Sequence, residues 1–253
     1  LRQRVLDIEA PQRMDGLSPE QFMAVAVARR IKDETMARAS IVWALLDMPN
    51  RDARTHAGFR LLTEQERYQL GALADPFLAP CTMVSTPLQV FDVNGGPLRI
   101  VYADLFNEVD AEAWGRADEF FLAFQRSGDL DELRYMAAVL YQVGNAPREE
   151  RMRGHQPTLN AVNRLSEAQL LGIAQMWSCQ RLVYEKESPM PFGKGEKKAK
   201  KRGWKLAMLD MSGRQFGDHK TVMSTPVRDL FTLMHREMWD ARQAKLNDKT
   251  GKR

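Results

Sequence analysis

Two cysteines and four histidines are all that 253 residues supply of the usual metal-binding side chains. His56, His155, His219 and His235 are scattered, and none stands four residues from another or beside a cysteine at zinc-ligand spacing. No metal site and no cofactor is expected. Cys81 and Cys179 lie far apart in the chain and are expected to be unpaired thiols of a reducing compartment. No apolar run approaches the roughly 20 residues needed to span a bilayer, and the first residues lack the charged-then-apolar pattern of a secretory leader. A soluble, non-exported protein without a membrane role is expected. There is also no nucleophile elbow and no phosphate-binding loop. Gly213 and Gly217 in "SGRQFGDH" join two helical stretches, where a helix C-cap at Gly213 and a turn at Gly217 account for them. No catalytic residue is assigned, and the chain reads as a non-enzyme.

Positive charge is also scarcer than the net +4 suggests. From Lys194 to Arg202 six cationic side chains and one Glu give +5, and the last nine residues give +3, so the remainder of the chain is at −4. The body is slightly acidic and the basic pI belongs to two short segments. A basic groove spread across a fold, the footprint of a nucleic-acid reader, is not indicated. The second reading of the chain, as a nucleic-acid-associated protein, therefore rests on Lys194, Lys197, Lys198, Lys200, Lys201 and Arg202 alone, which could equally meet an acidic partner. Charges this dense repel one another and stay solvated. With Pro189 and Pro191 before them and Gly193, Gly195 and Gly203 among them, they predict a basic mobile loop over 188–203.

What the chain has in quantity is helix-forming pattern. Its 44% apolar residues are ordinary globular chemistry. Ser18, Pro19 and Gln21 make a helix start with a capping box, followed by the apolar positions Phe22, Val25 and Ala28. Thr63 with Glu66 and Ser166 with Gln169 repeat the device, and Asp129 with Glu132 offers a fourth. Thr225 and Pro226 are expected as cap and first helical residue of a fifth. Trp114, Ala117, Phe121 and Phe124 share one helical face, and Leu133, Met136, Ala137 and Leu140 share another in a helix read through "VLYQ". The break at Ser127-Gly128 predicts an antiparallel pair. A long helix is expected from about Glu167 to Tyr184 with Leu170, Ile173, Trp177 and Tyr184 inward, and Leu206, Leu209, Leu230, Leu233 and Met234 are assigned to the core. Asp129, Asp131 and Glu132 are explained by a helix N-terminus, where carboxylates are favoured. The stretch "GNAPREERMRGHQP" reads as a polar connector.

β signal is confined to Leu88–Val93 and Leu98–Tyr102, joined by Asn94-Gly95-Gly96, a hairpin turn sequence. The expected fold is mainly α: a multi-helix, bundle-like arrangement with one small β-hairpin. Residues 1–109 form an N-terminal helical region ending in that hairpin, 110–246 a C-terminal helical domain, and 247–253 a disordered tail.

Two blocks, "DAEAWGRADEFFLAFQRSGDLDELRYMAAVLYQ" and "GWKLAMLDMSGRQFGDHKTVMSTPVRDLFTLMHR", flank "LLGIAQMWSCQRLVYEKESPMPF". In this order, with "LSPEQFMAVAVARRI" upstream, the chain from Leu17 to Leu246 resembles tail-region proteins of Bacteroidota-type phages and prophages, encoded near the tape-measure gene. The shared features are packing motifs. The resemblance implies a tail assembly chaperone-like protein of the bacterial host's cytoplasm, which binds the long helices of the tape-measure protein before the tail tube polymerises. This chain is longer than the best-known chaperones and carries a hairpin that they lack. Fourteen methionines suit an adaptable surface for partner helices. Met190, Phe192 and Trp204 beside the basic run, and Trp239 near the C-terminus, are the candidate partner contacts.

Overall fold

The computed structural model describes residues 10–250 except Asp52, Val84, Gly95, Ala103 and the segment 193–216. It is mainly helical. Ser18 accepts from the Gln21 amide at 3.2 Å while Gln21 Oε1 accepts from the Ser18 amide at 3.0 Å, which starts α1 (Pro19–Ala28) as expected. Asp33 caps α2 (Glu34–Leu45) by accepting from the Met36 amide at 2.8 Å. Then follow α3 (Ala53–Arg60), α4 (Glu64–Gly71) and α5 (Asp75–Leu78). An extended segment leads from there into the sheet.

The hairpin is β1 (Val90–Val93) against β2 (Gly96–Ile100), antiparallel with Phe91 opposite Leu98 and Val93 opposite Gly96. It is not alone. After α6 (Leu105–Glu108), α7 (Ala111–Ser127) and α8 (Leu130–Leu140), residues Tyr141–Val143 form β3, which pairs antiparallel with β2 and places Tyr141 opposite Ile100. The helical reading of "YQ" is corrected here. α8 stops at Leu140 because the edge of β2 offers unpaired backbone groups: the Val101 amide donates to the Leu140 carbonyl at 2.8 Å. Tyr141 is fully buried and its hydroxyl donates to the Leu88 carbonyl at 2.6 Å. A third strand also supplies what a lone hairpin lacks for stability.

The polar connector is corrected too. It contains α9 (Arg148–Gly154) and the start of α10 (Gln156–Val162), with Pro157 in the first turn, where its missing N–H costs nothing. α10 closes the far edge of β3, since Thr158 Oγ1 accepts from the Val143 amide at 3.2 Å. The long helix, α11 (Glu167–Glu187), begins at the predicted Ser166–Gln169 capping box and runs one turn beyond Tyr184. Its inward positions Leu170, Ile173, Trp177 and Tyr184 are all buried.

α12 (Pro189–Phe192) puts a helical turn where a loop was expected, and it lies against the last helix. Beyond the undescribed segment, which includes Leu206, Leu209 and Gly213, come α13 (His219–Ser224) and α14 (Val227–Thr250). Gly217, with φ of +86°, makes the expected turn. α14 continues to Thr250, so 247–250 are helical and not a disordered tail. Its start is one residue later than read. Thr225 does not cap it; the Thr225 carbonyl accepts from the Ala111 amide and the Val227 amide donates to the Val109 carbonyl, so Pro226 forms an antiparallel bridge with Asp110 just ahead of both helices. Leu230 is buried and Met234 is half-buried against the core, but Leu233 is exposed, because it falls outside the stripe formed by Leu230, Phe231 and Met234.

One apolar cluster runs through elements on both sides of Asp110. Its centre is aromatic: the Trp114 ring lies 4.4 Å from Trp177, 4.7 Å from Tyr184 and 5.5 Å from Phe231, joining α7, α11 and α14. Asp129 caps α8 through the Asp131 amide at 2.9 Å, so the box with Glu132 does not form. Gly128, at φ +74°, makes the tight α7–α8 connection. α1 and α11 touch closely at Gly172, where a Cβ would come 2.9 Å from Met23 Cγ and 3.0 Å from Leu88 Cδ1. Gly172→Val is therefore expected to destabilise the fold by about 2 kcal/mol through overpacking, read as a lower urea midpoint with an unchanged slope.

Candidate partner-binding groove

α4 has a complete start but no buried face. The Thr63 amide donates to Glu66 Oε2 at 2.8 Å and Thr63 Oγ1 accepts from the Glu66 amide at 3.3 Å, yet none of its eight residues is buried. A helix held by its cap, with little burial to anchor it, leaves its apolar side chains available. Across from it, α2 is conventionally amphipathic. Ala37, Ile41, Ala44 and Leu45 enter the core, while Thr35, Arg38 and Ala39 face α4.

Between the two helices lies an open groove of about 680 Å³. Val42, Phe59 and Leu70 provide apolar lining, and Tyr68 stands at the rim. The other rim is charged and tied across. Arg38 donates to Glu34 on its own helix at 2.8 Å, to Asp75 on α5, and to the Gly71 carbonyl at 3.4 Å. These hydrogen bonds, Glu34 first and then Asp75, hold the Arg38 pKa above its ordinary value. Arg67 donates to the Arg60 carbonyl at 3.1 Å and so fastens α4 to the end of α3. Trp43, beside the groove, rests edge-on against Phe59 at 5.8 Å and 5.4 Å from the His56 ring.

This region also concentrates exposed apolar surface. Of the eleven large hydrophobic side chains exposed among the described residues, six fall between Val27 and Leu73, with Leu61 at 83% and Tyr68 at 84%. Single exposed apolars are normal; of these six, Tyr68 lines the groove itself.

Of the residues singled out from sequence, Trp239 is the one whose side chain is described, and it does not line this groove. Trp239 is on α14, 48% exposed, with its ring stacked 6.4 Å from His235. Met190 and Phe192 have their backbone in α12, and their side chains lie outside the described ones. Trp204 and the basic residues Lys194, Lys197, Lys198, Lys200, Lys201 and Arg202 lie outside the described residues. Sequence reasoning passed over α2 and α3. The available signal was Asp33 ahead of "ETMARASIVWAL", an N-cap followed by Ile41, Val42 and Leu45 at helical spacing.

A second polar feature binds the fold together and was likewise unread. The buried Asp110 carboxylate caps α7 through the Ala113 amide at 2.9 Å, and accepts from the Tyr102 hydroxyl at 2.9 Å and from Arg148 Nε at 3.1 Å. Arg148 also reaches Glu112 at 2.9 Å. Burial, then the Asp110 charge, raises the Tyr102 pKa, so the phenol stays a donor. Among the described residues no group of three His, Cys, Asp or Glu side chains is placed to hold a metal ion.

No protein-family model, curated protein or solved structure matches the chain.

Proposed function

We propose that this protein is a non-enzymatic, chaperone-like binder whose α2–α4 groove receives an amphipathic helix of a phage tail component such as the tape-measure protein. The observation that carries the reading is the groove itself: apolar side chains at its base, a tethered charged rim, and the exposed Tyr68 ring at its edge. An amphipathic helix presents the matching pattern, apolar residues three and four apart with charges to either side. The choice of partner comes from the resemblance of the packing blocks to tail-region proteins. Long tape-measure helices have apolar faces that need cover until the tube forms.

Co-expression with a tape-measure protein tests it. The expected result is a soluble complex that survives size-exclusion chromatography. Tyr68→Glu should weaken the complex at least tenfold, since it sets a charge against the apolar face of the docked helix and removes a tyrosine, a residue enriched among hot spots, while leaving the urea midpoint nearly unchanged. A tape-measure protein that stays insoluble would remove the partner. A complex indifferent to Tyr68→Glu would remove the groove. The nucleic-acid reading makes a different prediction. Replacing the five lysines of Lys194–Arg202 with Gln would then abolish DNA or RNA binding and flatten its salt dependence.

A further inference from the structure

Cys81 and Cys179 are 98 residues apart in sequence, and their sulfurs are 2.7 Å apart in the fold. Both are free thiols, as expected, and no bond joins them. Cys179 is on α11 and almost fully buried; Cys81 is on the extended segment after α5 and partly exposed. Two further side chains converge on the pair. Arg29 Nη1, at the end of α1, lies 3.5 Å from Cys81 Sγ, and Gln175 Nε2 lies 3.0 Å from Cys179 Sγ and 3.5 Å from Cys81 Sγ. Both also line a cavity of about 190 Å³, together with Ser178, Ala26 and Phe124. A small reagent thus has room beside the groups that touch the sulfurs.

We propose that Cys81 and Cys179 are a redox-active dithiol, a site at which a hydroperoxide converts two thiols into one intramolecular disulfide that fastens the segment after α5 to α11. The roles divide by environment. The hydrogen bond from Cys179, and then the Arg29 charge, lower the Cys81 pKa against the opposing effect of burial. The same hydrogen bond and burial raise that of Cys179. The pair therefore keeps its shared proton on Cys179 and presents Cys81 as the thiolate, which is the nucleophilic form. Arg29 disfavours a cation at the site and leaves a neutral oxidant unhindered.

With hydrogen peroxide the step balances as follows. The Cys81 thiolate attacks one peroxide oxygen, the O–O bond breaks, and Cys81 becomes a sulfenic acid while the departing hydroxide takes a proton from solvent to form water. Cys179 sulfur then attacks Cys81 sulfur and the S–O bond breaks. The second hydroxide leaves with the Cys179 proton as another water. Two thiols are oxidised and one peroxide is reduced to two waters. A disulfide needs sulfurs about 2.05 Å apart, so closure moves them by only about 0.7 Å from the present contact.

The test uses the full chain, fully reduced and then treated with one equivalent of hydrogen peroxide at neutral pH. Both thiols should be lost when counted in denaturant. The intact mass should fall by two hydrogens, and a non-reduced digest should contain one peptide pair joined through Cys81 and Cys179. Dithiothreitol should reverse all three. Melting temperature should rise by roughly 5 °C or more in the oxidised form, because the bridge closes a long loop. Cys179→Ser should stop at a Cys81 sulfenic acid that dimedone traps. Two thiols persisting, disulfide-linked dimers in place of the internal bridge, or Cys81 passing to sulfinic acid while Cys179 stays free would each overturn the proposal.

Discussion

Trp114→Ala is expected to lower folding stability by about 3–5 kcal/mol, the range for removing a large aromatic ring from a packed core. The ring is fully buried where α7, α11 and α14 meet, and Trp177, Tyr184 and Phe231 all pack on it. Removing it opens a cavity lined by three other large rings, none of which can collapse into the gap without losing its own contacts. In a chain of this size that loss corresponds to a melting temperature roughly 10 °C lower. The indole N–H sharpens the prediction. Trp114 Nε1 is buried with no hydrogen-bond partner among the described residues, so Trp114→Phe removes an unsatisfied donor along with part of the ring. Trp177 Nε1, in contrast, donates to the buried Asp118 at 3.3 Å. Trp177→Phe should therefore be the more damaging of the two conservative changes, by about 1 kcal/mol. Urea titrations of the three variants decide it, and equal costs for the two Phe variants would refute the assignment of the unpaired N–H.

Asp110→Ala is the second large effect, expected at about 2–4 kcal/mol, because a buried carboxylate that accepts three hydrogen bonds is lost. The change strips α7 of its N-cap, worth about 1 kcal/mol by itself. It also leaves the Tyr102 hydroxyl and Arg148 Nε without the acceptor that they share. Asp110→Asn retains an oxygen for one of these donors and should cost about half as much. A double-mutant cycle with Tyr102→Phe isolates the phenol–carboxylate term; the two changes should fall short of additivity by about 1 kcal/mol. Full additivity would mean that Tyr102 and Asp110 stabilise the fold independently. Because Arg148 is carried by α9 and also bonds the Met223 carbonyl on α13, the loss should spread beyond α7. Hydrogen exchange would show it as weaker protection of α9 and α13 relative to α1.

Both sites show where sequence reading stopped. Trp114 was placed in a helical stripe, which its spacing to Ala117, Phe121 and Phe124 fixes locally. That the stripe would meet Trp177 and Phe231, from helices more than 60 residues later, depends on how three helices cross. The same division holds for the candidate sites. The groove is formed by the outer sides of α2 and α4, and its lining residues look unremarkable until the walls are set opposite each other. The thiol pair joins an extended segment to α11, and no spacing rule relates residues 81 and 179.

By itself the sequence determined the mainly helical class, the capping boxes at Ser18, Thr63 and Ser166, the inward faces of α7, α8 and α11, and the hairpin between Val90 and Ile100. Each of these is set within about one helical turn or one strand pair, by side chains that bond their own backbone or repeat at the element's period. Only the tertiary structure decided that α8 ends in a third strand, that Pro226 bridges to Asp110, that Leu233 faces solvent, and that Cys81 meets Cys179. In those places the local preference was weak or divided, and a neighbour distant in the chain supplied the deciding hydrogen bond or contact, or in the case of Leu233 failed to supply one.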